Sequence, residues 1–407
     1  MIDYLNIRGF KSFENVKLDL GALNFFIGTN SSGKSNFFDA LRVLQGIGYG
    51  LRVDEIFNGK PKSGNSDVWE PIRGGGANAG LLKWDPEKQA QVRDFVVIGV
   101  RGRTELGRFR YEIALSPTRG TVLSEQLVAG GGTVFSSGGV QNTPEGPGFW
   151  VEYNRPGPGR HPHVQFDKGK PVLSQITRKC KPRHAEQVRA LLALLSNCQR
   201  LDPSPAILRE YSSGREARRI GERGENFAAL VKTILDDEVT AAAYRSWLER
   251  LTPKDLDNVA ILQGALGEPL FALKHGGREF AAPVLSDGTL RFAALTAAFF
   301  QPDMPRTLIL EEIENGIHPS RLRLLVDLLK ARTSEEGGPQ IMASTHSPVI
   351  VDWLKEDDLA HCFLCRHDES TGVSLIQPLS ELPRFAELSK TQAAGDLFIE
   401  GWMENSA

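Results

Sequence analysis

The sequence contains few cysteines, no long apolar run and almost no net charge, and each shortage excludes a class of protein. Four cysteines in 407 residues are too few for a disulfide-stabilised scaffold. No apolar run reaches the roughly 18 residues of a membrane span, and the first residues lack a signal-peptide pattern. We therefore expect a cytoplasmic protein with no membrane partner. A net charge of −2 excludes a uniformly basic nucleic-acid binder but leaves room for a local basic patch.

A glycine-rich motif near the N-terminus, Gly28-Thr-Asn-Ser-Ser-Gly-Lys-Ser35, fits the pattern G-x-x-x-x-G-K-[ST]. It lies between Leu23–Ile27, predicted as a strand, and Asn36–Leu44, whose apolar spacing predicts a helix. This context indicates a phosphate loop, in which backbone N–H groups bind phosphate, Lys34 reaches the β- and γ-phosphates and Ser35 binds Mg²⁺. The expected nucleotide contacts are Gly28, Thr29, Asn30, Ser31, Ser32, Gly33, Lys34, Ser35 and Asn36.

Two glutamates follow a predicted buried strand far along the chain. The apolar run Arg306–Leu310 leads directly into Glu311 and Glu312. Acidic residues at the carboxyl end of such a strand lie beside the phosphate loop in an open parallel sheet. Hydrolysis needs one carboxylate to hold hydrated Mg²⁺ and another to polarise the attacking water. We assign the first role to Glu311 and the second to Glu312, with Glu314 as the next candidate for the base.

A histidine stands at the end of the next predicted strand. Ile341–Thr345 has the composition of a buried strand, and His346 follows it. An imidazole at this place can donate to a γ-phosphate or hold the attacking water. The predicted catalytic residues are therefore Glu312, His346 and Lys34.

A short polar motif opens an apolar helical run about 20 residues before the acidic strand. Ser286-Asp-Gly288 precedes Leu290–Phe300, and Ser286 suits a helix N-cap. Gly288 lets a ligand approach the first helical turn, where an anion such as a γ-phosphate would be bound. Ser286, Asp287 and Gly288 are thus candidate nucleotide contacts, although the motif alone also fits a capped core helix.

In this order, the motifs resemble those of the ABC-type ATPases, within the soluble branch containing RecF, SMC heads and the ATPase half of OLD-family proteins. The segments Ile7–Phe13 and Glu311–Pro319 strengthen the resemblance. It implies an α/β fold, an ABC-type P-loop ATPase head with an antiparallel β-layer and a compact helical insertion. It also implies that Arg8 and Lys11 approach the nucleotide. A Mg²⁺-binding glutamine loop common in the family would fall near Ile72–Gly76, where no glutamine is found.

The same resemblance implies a mechanism and two cofactors, ATP and Mg²⁺. Two heads would form a homodimer, or part of a higher homo-oligomer, with ATP at the subunit interface. Ser286 and Gly288 of one subunit would contact the γ-phosphate held by Gly33, Lys34 and Ser35 of the other. Hydrolysis would release the dimer. The signature lacks the Gly-Gly-Gln ending typical of transporters, which disfavours a transporter subunit.

Composition and pattern divide the chain into three predicted segments. Residues 1–128 and 259–407 would form the two halves of the head, and residues 129–258 a loop-rich and helical insertion. Hydrophobic residues make up 41% of the chain, enough for one large or two modest domains. The Gly- and Pro-rich part of the insertion, residues 129–172, predicts loops or short hairpins. The helices after it show no sustained heptad, and an amphipathic helix is predicted for the tail at 388–402.

Strands are predicted in several other parts of the chain. Alternating apolar residues predict antiparallel strands at 94–100, 108–115 and 120–128. Cys362 and Cys365, near two histidines, have a weak likeness to a metal site, but no second cysteine pair has zinc-finger spacing. The segment favours a strand with buried thiols.

Two basic clusters lie in or beside the predicted insertion. One consists of Lys168, Lys170, Arg178, Lys179, Lys181 and Arg183, and the other of Arg215, Arg218, Arg219 and Arg223. Such clusters can contact the phosphate backbone of DNA or RNA. A solvated loop and a docking face for an acidic partner are the alternatives.

These observations leave three candidate functions. The first is a dimerising ATPase that acts as a sensor or regulator in prokaryotic anti-phage defence. The roughly 60 residues after His346 are too few for a fused nuclease, so its effector, a nuclease or toxin, would be a separate protein. The second is a RecF-like DNA-binding ATPase of repair or chromosome maintenance. The third is a non-catalytic ATP-bound scaffold, which the presence of Glu312 and His346 disfavours.

Overall fold

The computed structural model describes residues 1–61, 69–83, 91–92, 95–143, 146–153, 164–251, 256–354, 356–388 and 392–399. The strands are β1 (Ile2–Phe10), β2 (Phe13–Asp19), β3 (Leu23–Ile27), β4 (Leu82–Lys83), β5 (Gln91–Val92), β6 (Val96–Thr104), β7 (Gly107–Ser116), β8 (Thr121–Ala129), β9 (Gly132–Thr143), β10 (Gly146–Tyr153), β11 (Val164–Gln165), β12 (Cys198–Leu201), β13 (Leu256–Gln263), β14 (Pro269–His275), β15 (Arg278–Ala281), β16 (Thr307–Leu310), β17 (Gln340–Thr345), β18 (Cys362–Asp368) and β19 (Val373–Pro378). The helices are α1 (Lys34–Gly48), α2 (Val53–Asn58), α3 (Val172–Gln175), α4 (Pro182–Ser196), α5 (Pro205–Leu208), α6 (Phe227–Leu235), α7 (Glu238–Leu251), α8 (Asp287–Ala298), α9 (Pro319–Ser334), α10 (Pro348–Asp352), α11 (Glu356–Leu359), α12 (Phe385–Leu388) and α13 (Ala394–Ile399).

The chain forms two compact units, each assembled from separate segments. The first unit contains Met1–Gly21, Gly28–Cys198 and Phe363–Leu379. The second contains Ala22–Ile27, Gln199–Cys362 and Ser380–Ala407.

An antiparallel sheet of eight strands dominates the first unit. Its strand order is β11-β10-β9-β8-β7-β6-β1-β2, and β6, β7 and β8 confirm the three strands predicted by alternation. On β2 the buried residues Val16 and Leu18 alternate with the exposed Asn15 and Lys17, as expected for a sheet with one face on the core. The Gly- and Pro-rich segment supplies a hairpin, β9 and β10, which widens this sheet.

Helix α1 forms because its apolar residues recur at helical spacing and find a partner helix. Phe37, Leu41, Leu44 and Ile47 are buried, and the helix packs against α4 within the first unit. This packing fixes the helix that follows the predicted phosphate loop, and it confirms the helix expected after Ser35.

The second unit contains parallel strands that end at a common edge. Strands β12, β16, β17 and β3 are neighbours in that order, and β16, β17 and β3 are parallel. Every residue of β16 and β17 is buried, which explains the apolar runs at 308–310 and 341–343 within them. Their carboxyl ends lead into Glu311 and His346, as the sequence predicts. Strands β13, β14 and β15 form a separate antiparallel sheet.

Helix α8 is the core of the second unit. All its residues from Gly288 to Ala298 are buried, because α5, α6, α7 and α9 pack around it. The helices predicted for the insertion are thus divided between the units, with α4 in the first and α6 and α7 in the second. The three-segment boundaries at 1–128, 129–258 and 259–407 stay a prediction.

The predicted strand with buried thiols is β18. Cys362 and Cys365 are both buried, and burial raises the pKa of the Cys365 thiol to about 12, so this thiol stays protonated. Of the predicted tail helix, α13 is described, whereas residues 389–391 and 400–402 lie outside the described residues. Among the helices of the described residues, none is both long enough and apolar enough to cross a membrane.

A buried carboxyl group ties the sheet of the first unit to a helix start. Glu125 on β8 is 1% exposed and accepts hydrogen bonds from the N–H groups of Val172 and Leu173 at 2.6 and 2.9 Å. The Tyr111 hydroxyl donates to the same carboxyl at 2.9 Å. Burial raises the pKa of Glu125 to about 7, against the opposing effect of these three donors.

Folding stability should therefore fall as the pH rises through the neutral range. In the unfolded chain Glu125 loses its proton near its ordinary pKa of 4.5, whereas in the folded protein it does so near 7. Between these two pH values the free energy of unfolding falls, because ionisation of Glu125 favours the unfolded chain. The loss reaches about 3 kcal/mol above pH 7. Urea unfolding from pH 4.5 to 8 should show that wild type loses this much relative to Glu125→Gln. The exposed Glu152→Gln serves as control, and parallel curves for all three proteins would contradict the prediction.

Candidate functional site

The predicted phosphate loop connects the end of β3 with the start of α1, in the strand–loop–helix context expected from the sequence. Gly33 is the N-cap of α1 and has φ +106°, a conformation that residues with a side chain avoid. A Cβ at this position would also lie 2.8 Å from Cβ of Ser374. Within the loop, Thr29, Asn30 and Ser31 are exposed, whereas Gly28 and Ser32 are buried.

The Lys34 ammonium group lies inside this loop. It donates to the carbonyl oxygens of Gly28 and Thr29, both at 2.7 Å, and lies 3.3 Å from the hydroxyl of Ser32. The residue is 6% exposed, so its charge acts in surroundings that screen it poorly. Ser35 follows at the start of α1 and is half-buried. The loop therefore combines a helix N-terminus, a buried cation and a hydroxyl, the groups that a phosphate loop requires.

The buried carboxylate of Asp39, on the helix that follows the loop, forms ion pairs with two cations. Asp39 on α1 pairs with Lys11 and with Arg73, whose Nε lies 3.1 Å from it. Arg73 also donates to the carbonyl oxygen of Ser35 at 2.6 Å. Burial lowers the pKa of Lys11, although the charge of Asp39 partly opposes this. Sequence reasoning missed Asp39 and Arg73; Arg73 lies in the segment where the glutamine loop was expected.

The side chain of Asn36, the last predicted contact of the loop, holds the loop to a neighbouring turn. Its Nδ2 donates to the Ser12 hydroxyl at 2.8 Å. Lys11 precedes Ser12, so both predicted contacts, Lys11 and Asn36, are fixed at the start of α1. Whether either touches a nucleotide stays a prediction.

In the second unit, Glu312 is held by three neighbours. Its backbone has φ +49°, which is uncommon for a residue with a side chain and frequent at functional sites. Its N–H donates to the Ser344 hydroxyl at 3.0 Å. Asn315 Nδ2 donates to Glu312 Oε2 at 3.0 Å, and His346 Nε2 lies 3.3 Å from Oε1. The structure thus brings the predicted Glu312 and His346 together, and adds Asn315.

The neighbouring carboxylates of the acidic motif have different partners. Glu311 pairs with Arg200 of β12, with 2.9 Å between Oε1 and Nε. Glu314 accepts the backbone N–H of His346 at 2.5 Å, while its Oε2 is buried without a hydrogen-bond partner among the described residues. Glu314 therefore positions His346, and the negative charge of Glu311 is compensated by Arg200. No sequence signal indicates Arg200, because its partner lies more than 100 residues away in the chain.

The helix signature lies in the same unit as the acidic motif. The Ser286 hydroxyl accepts the N–H of Thr289 at 3.2 Å, which confirms the predicted N-cap of α8. A Cβ on Gly288 would lie 2.5 Å from the Gly316 carbonyl oxygen, so this position accepts only glycine without rearrangement. Ser286 and Asp287 are exposed, and Asp287 pairs with Arg209 at 2.5 Å.

Arg291 links this helix to the acidic motif. Its side chain is buried, and its guanidinium donates to the carbonyl oxygens of Glu311 and Glu312, both at 3.4 Å. It also donates to the Pro203 carbonyl oxygen and pairs with Asp202, both at 3.0 Å. Sequence reasoning placed Arg291 in an apolar helix and missed this role.

The two basic clusters lie in different units. In the first, Arg178, Lys179 and Lys181 are exposed. In the second, Arg218 pairs with Asp303 at 3.2 Å, which offsets part of the positive charge. Binding of DNA or RNA at either cluster stays a prediction.

Two family models match the chain, one in each half of the predicted site. Residues 1–52, which include the phosphate loop, match an "AAA ATPase domain". Residues 250–352, which include the signature, the acidic motif and His346, match "AAA domain, putative AbiEii toxin, Type IV TA system". Both models describe AAA-type ATPase domains, and they confirm the prediction of an enzyme that binds and hydrolyses a nucleotide.

A curated protein of Helicobacter pylori (strain ATCC 700392 / 26695), described as an ATP/GTP phosphatase, is 23% identical over 380 residues. The match covers 89% of this chain and 90% of that protein. Among solved structures, an SMC head bound to the C-winged helix domain of ScpA is 14% identical with a TM-score of 0.49, and the match covers 92% of this chain and 96% of that one. The SMC head domain from Thermotoga maritima is 14% identical with a TM-score of 0.44, covering 93% and 98% of the two chains.

Proposed function

We propose that this protein is a Mg²⁺-dependent ATPase that dimerises on ATP and regulates a separate effector protein. The catalytic part of this proposal rests on the position of Glu312. A carboxylate in a strained backbone conformation, fixed by Asn315 and His346, is suited to hold an attacking water. The description of the Helicobacter pylori protein supports a nucleoside triphosphate substrate and makes GTP a second substrate to assay.

The pairing of β3 with β17 supports the proposal that both halves of the predicted head act on one nucleotide. Ile27 and Thr345 are register partners on the parallel strands β3 and β17. The residues that follow them in the chain are Gly28, the first of the phosphate loop, and His346. Carboxyl ends of neighbouring parallel strands form ligand sites in open α/β sheets.

The residues present fit ATP and Mg²⁺. Gly33 carries no side chain, so its backbone N–H can approach a phosphate closely. Ser35 would hold Mg²⁺ directly, and Glu311, already paired with Arg200, would act through a bound water. The ion would supply charge neutralisation of the phosphates. Lys34 would exchange its loop carbonyls for phosphate oxygens, and Glu312 would take the proton of the water that His346 helps to orient.

The exposed signature supports a composite site between two subunits. Ser286 and Asp287 are exposed at the start of α8, where N–H groups favour an anion. We infer that the Ser286 hydroxyl and the backbone N–H of Gly288 contact the γ-phosphate bound by the Lys34 of a second subunit. Binding of ATP would then close the dimer, and hydrolysis would open it.

The resemblance and the family description that names a toxin system support the proposal of a regulatory role in anti-phage defence. Co-purification of the protein encoded next to this one tests it, and a partner retained only in the ATP-bound state supports it. Failure to retain any partner, combined with ATP-dependent DNA binding at the basic clusters, would favour the RecF-like alternative. A fixed oligomer unaffected by ATP would favour the scaffold.

Mixing two inactive variants should restore hydrolysis. Lys34→Ala removes the phosphate cation, whereas Ser286→Asp keeps an N-cap residue and places a negative charge against the γ-phosphate. Each protein alone should be inactive. An equal mixture should regain about a quarter of the wild-type rate, because half of randomly formed dimers are mixed and each has one intact site.

Ser286→Asn provides the matched control, since it keeps the cap without adding charge, and it should retain more activity than Ser286→Asp. Steady-state phosphate release measures both effects. A mixture as inactive as its components would show that the signature does not act across a subunit interface.

A further inference from the structure

The outer face of the sheet in the first unit is strongly basic. On β1, the side chains of Leu5 and Ile7 are buried in the core, whereas Arg8 is exposed on the opposite face. Pairing with β2, β6 and β7 brings further cations onto the same face. The cations are Arg8, Lys17, Arg101, Arg103, Arg108 and Arg110. Asp19 and Glu112 are acidic residues of this face.

Four of these arginines oppose one another directly. In the register of β6 and β7, Arg101 faces Arg110 and Arg103 faces Arg108. Like charges directly opposite on neighbouring strands destabilise a sheet. On this face Arg8 pairs with Glu112 at 3.8 Å, whereas within the described part of the chain no ion pair is found for these four arginines. In addition, the N-terminal ammonium group donates to the Arg103 carbonyl oxygen at 2.8 Å. Such an arrangement is expected where an anionic ligand binds.

A groove of about 370 Å³ lies among these cations. The side chain of Asn6 lines it and is 9% exposed, and its Oδ1 has no hydrogen-bond partner among the described residues. A buried acceptor of this kind is unfavourable unless a ligand satisfies it. The opposing residue on β6 is Gly99, and a Cβ there would lie 3.3 Å from Oε2 of Glu112, so this carboxylate flanks Asn6 in the groove.

The groove also offers a flat stacking surface. The guanidinium of Arg101 lies 4.4 Å from the ring centroid of Tyr4, and both residues line the groove. Nucleobases stack on aromatic rings and on guanidinium planes. An acceptor such as Asn6 Oδ1 suits the amino or imino group of a base, and the flanking arginines suit phosphates.

We propose that this groove binds single-stranded nucleic acid, with phosphates on the arginines and a base at Asn6 and Tyr4. A duplex hides its base faces in the stack and would leave Asn6 unsatisfied. The surface differs from the two basic clusters predicted from the sequence. It also does not depend on the phosphate loop, so it is independent of the proposed ATPase cycle.

The test uses full-length protein and fluorescein-labelled DNA and RNA single strands of about 15 nucleotides, read by fluorescence anisotropy over a range of salt. Wild type should bind single strands more tightly than the duplex of the same sequence, with or without ATP. The logarithm of affinity should fall with the logarithm of salt with a slope of about −0.7 per phosphate contacted. Lys34→Ala should bind equally well, which separates this site from the nucleotide site.

Arg101→Glu is the informative variant, because its two expected effects have opposite signs. Binding should weaken by about tenfold or more, while the melting temperature rises, since Glu would face Arg110 as an opposite charge. Arg178→Glu, the same charge change in the first basic cluster, is the matched control and should bind normally. Asn6→Ala should weaken binding without changing the salt slope, because it alters no charge.

Three results would overturn the proposal: no binding of single strands by wild type at low salt, a preference for the duplex, or loss of binding in Arg178→Glu with retention in Arg101→Glu. The melting temperature of each variant shows that it is folded.

Discussion

Glu312→Gln should bind ATP with near wild-type affinity and hydrolyse it about 100 to 10,000 times more slowly, the range expected for loss of a general base. The amide keeps the shape of the side chain and can still interact with Asn315 and His346, whose atoms lie 3.0 and 3.3 Å from the carboxylate. It cannot accept a proton from water. Single-turnover hydrolysis and equilibrium nucleotide binding measure the two effects separately.

Glu314→Gln is the matched control for this experiment. Glu314 accepts the His346 N–H, and a glutamine carbonyl can accept the same bond, so most of the rate should remain. Normal hydrolysis by Glu312→Gln together with a slow Glu314→Gln would move the base to Glu314. Because slow turnover preserves the ATP complex, the mass of Glu312→Gln in solution should double with ATP and Mg²⁺. A constant mass would contradict dimerisation on ATP.

Lys34→Ala should lose nucleotide affinity by about a hundredfold or more, as expected for removal of a buried charge-assisted contact to phosphate. The Lys34 ammonium group is 2.7 Å from two loop carbonyl oxygens, so it is already positioned where phosphates would be bound. Isothermal titration with ATP and Mg²⁺ measures the loss. Unchanged affinity would remove this loop from the nucleotide site.

Lys11→Ala distinguishes a contact with the nucleotide from a structural role. In the structure Lys11 pairs with Asp39, and Arg73 remains to neutralise that carboxylate. We therefore expect a much smaller loss of affinity than for Lys34→Ala. A loss of equal size would show that Lys11 contacts the nucleotide, as the resemblance implies.

The features that could be predicted from the sequence are those encoded by residues close together in the chain. The phosphate loop, the N-cap Ser286 and the strands before Glu311 and His346 follow from local spacing, because turn geometry and apolar periodicity are encoded within a few residues. The order of these motifs along the chain then led to the family resemblance. These predictions agree with the structure.

The missed residues depend on contacts across long distances in the chain. Arg200 and Arg73 are ordinary surface-type residues in the sequence, and nothing near them indicates that they pair with Glu311 and Asp39. The segment that contains β9 and β10 was predicted as loops or short hairpins, and its many glycines gave no indication of strands as long as Gly132–Thr143. Strand β9 is stabilised by backbone hydrogen bonds to β8, and its local sequence does not reveal this pairing.

Arg291 makes the start of α8 and the acidic motif a single stiff part of the second unit. Its guanidinium group holds the carbonyl oxygens of two successive glutamates, while Gly288 packs against the backbone of Gly316. Because the helix is anchored at both points, it cannot slide along its axis without pulling on the backbone of Glu312. A displacement of Ser286 would therefore reach the backbone of Glu312 through the first turns of α8 and the Arg291 side chain.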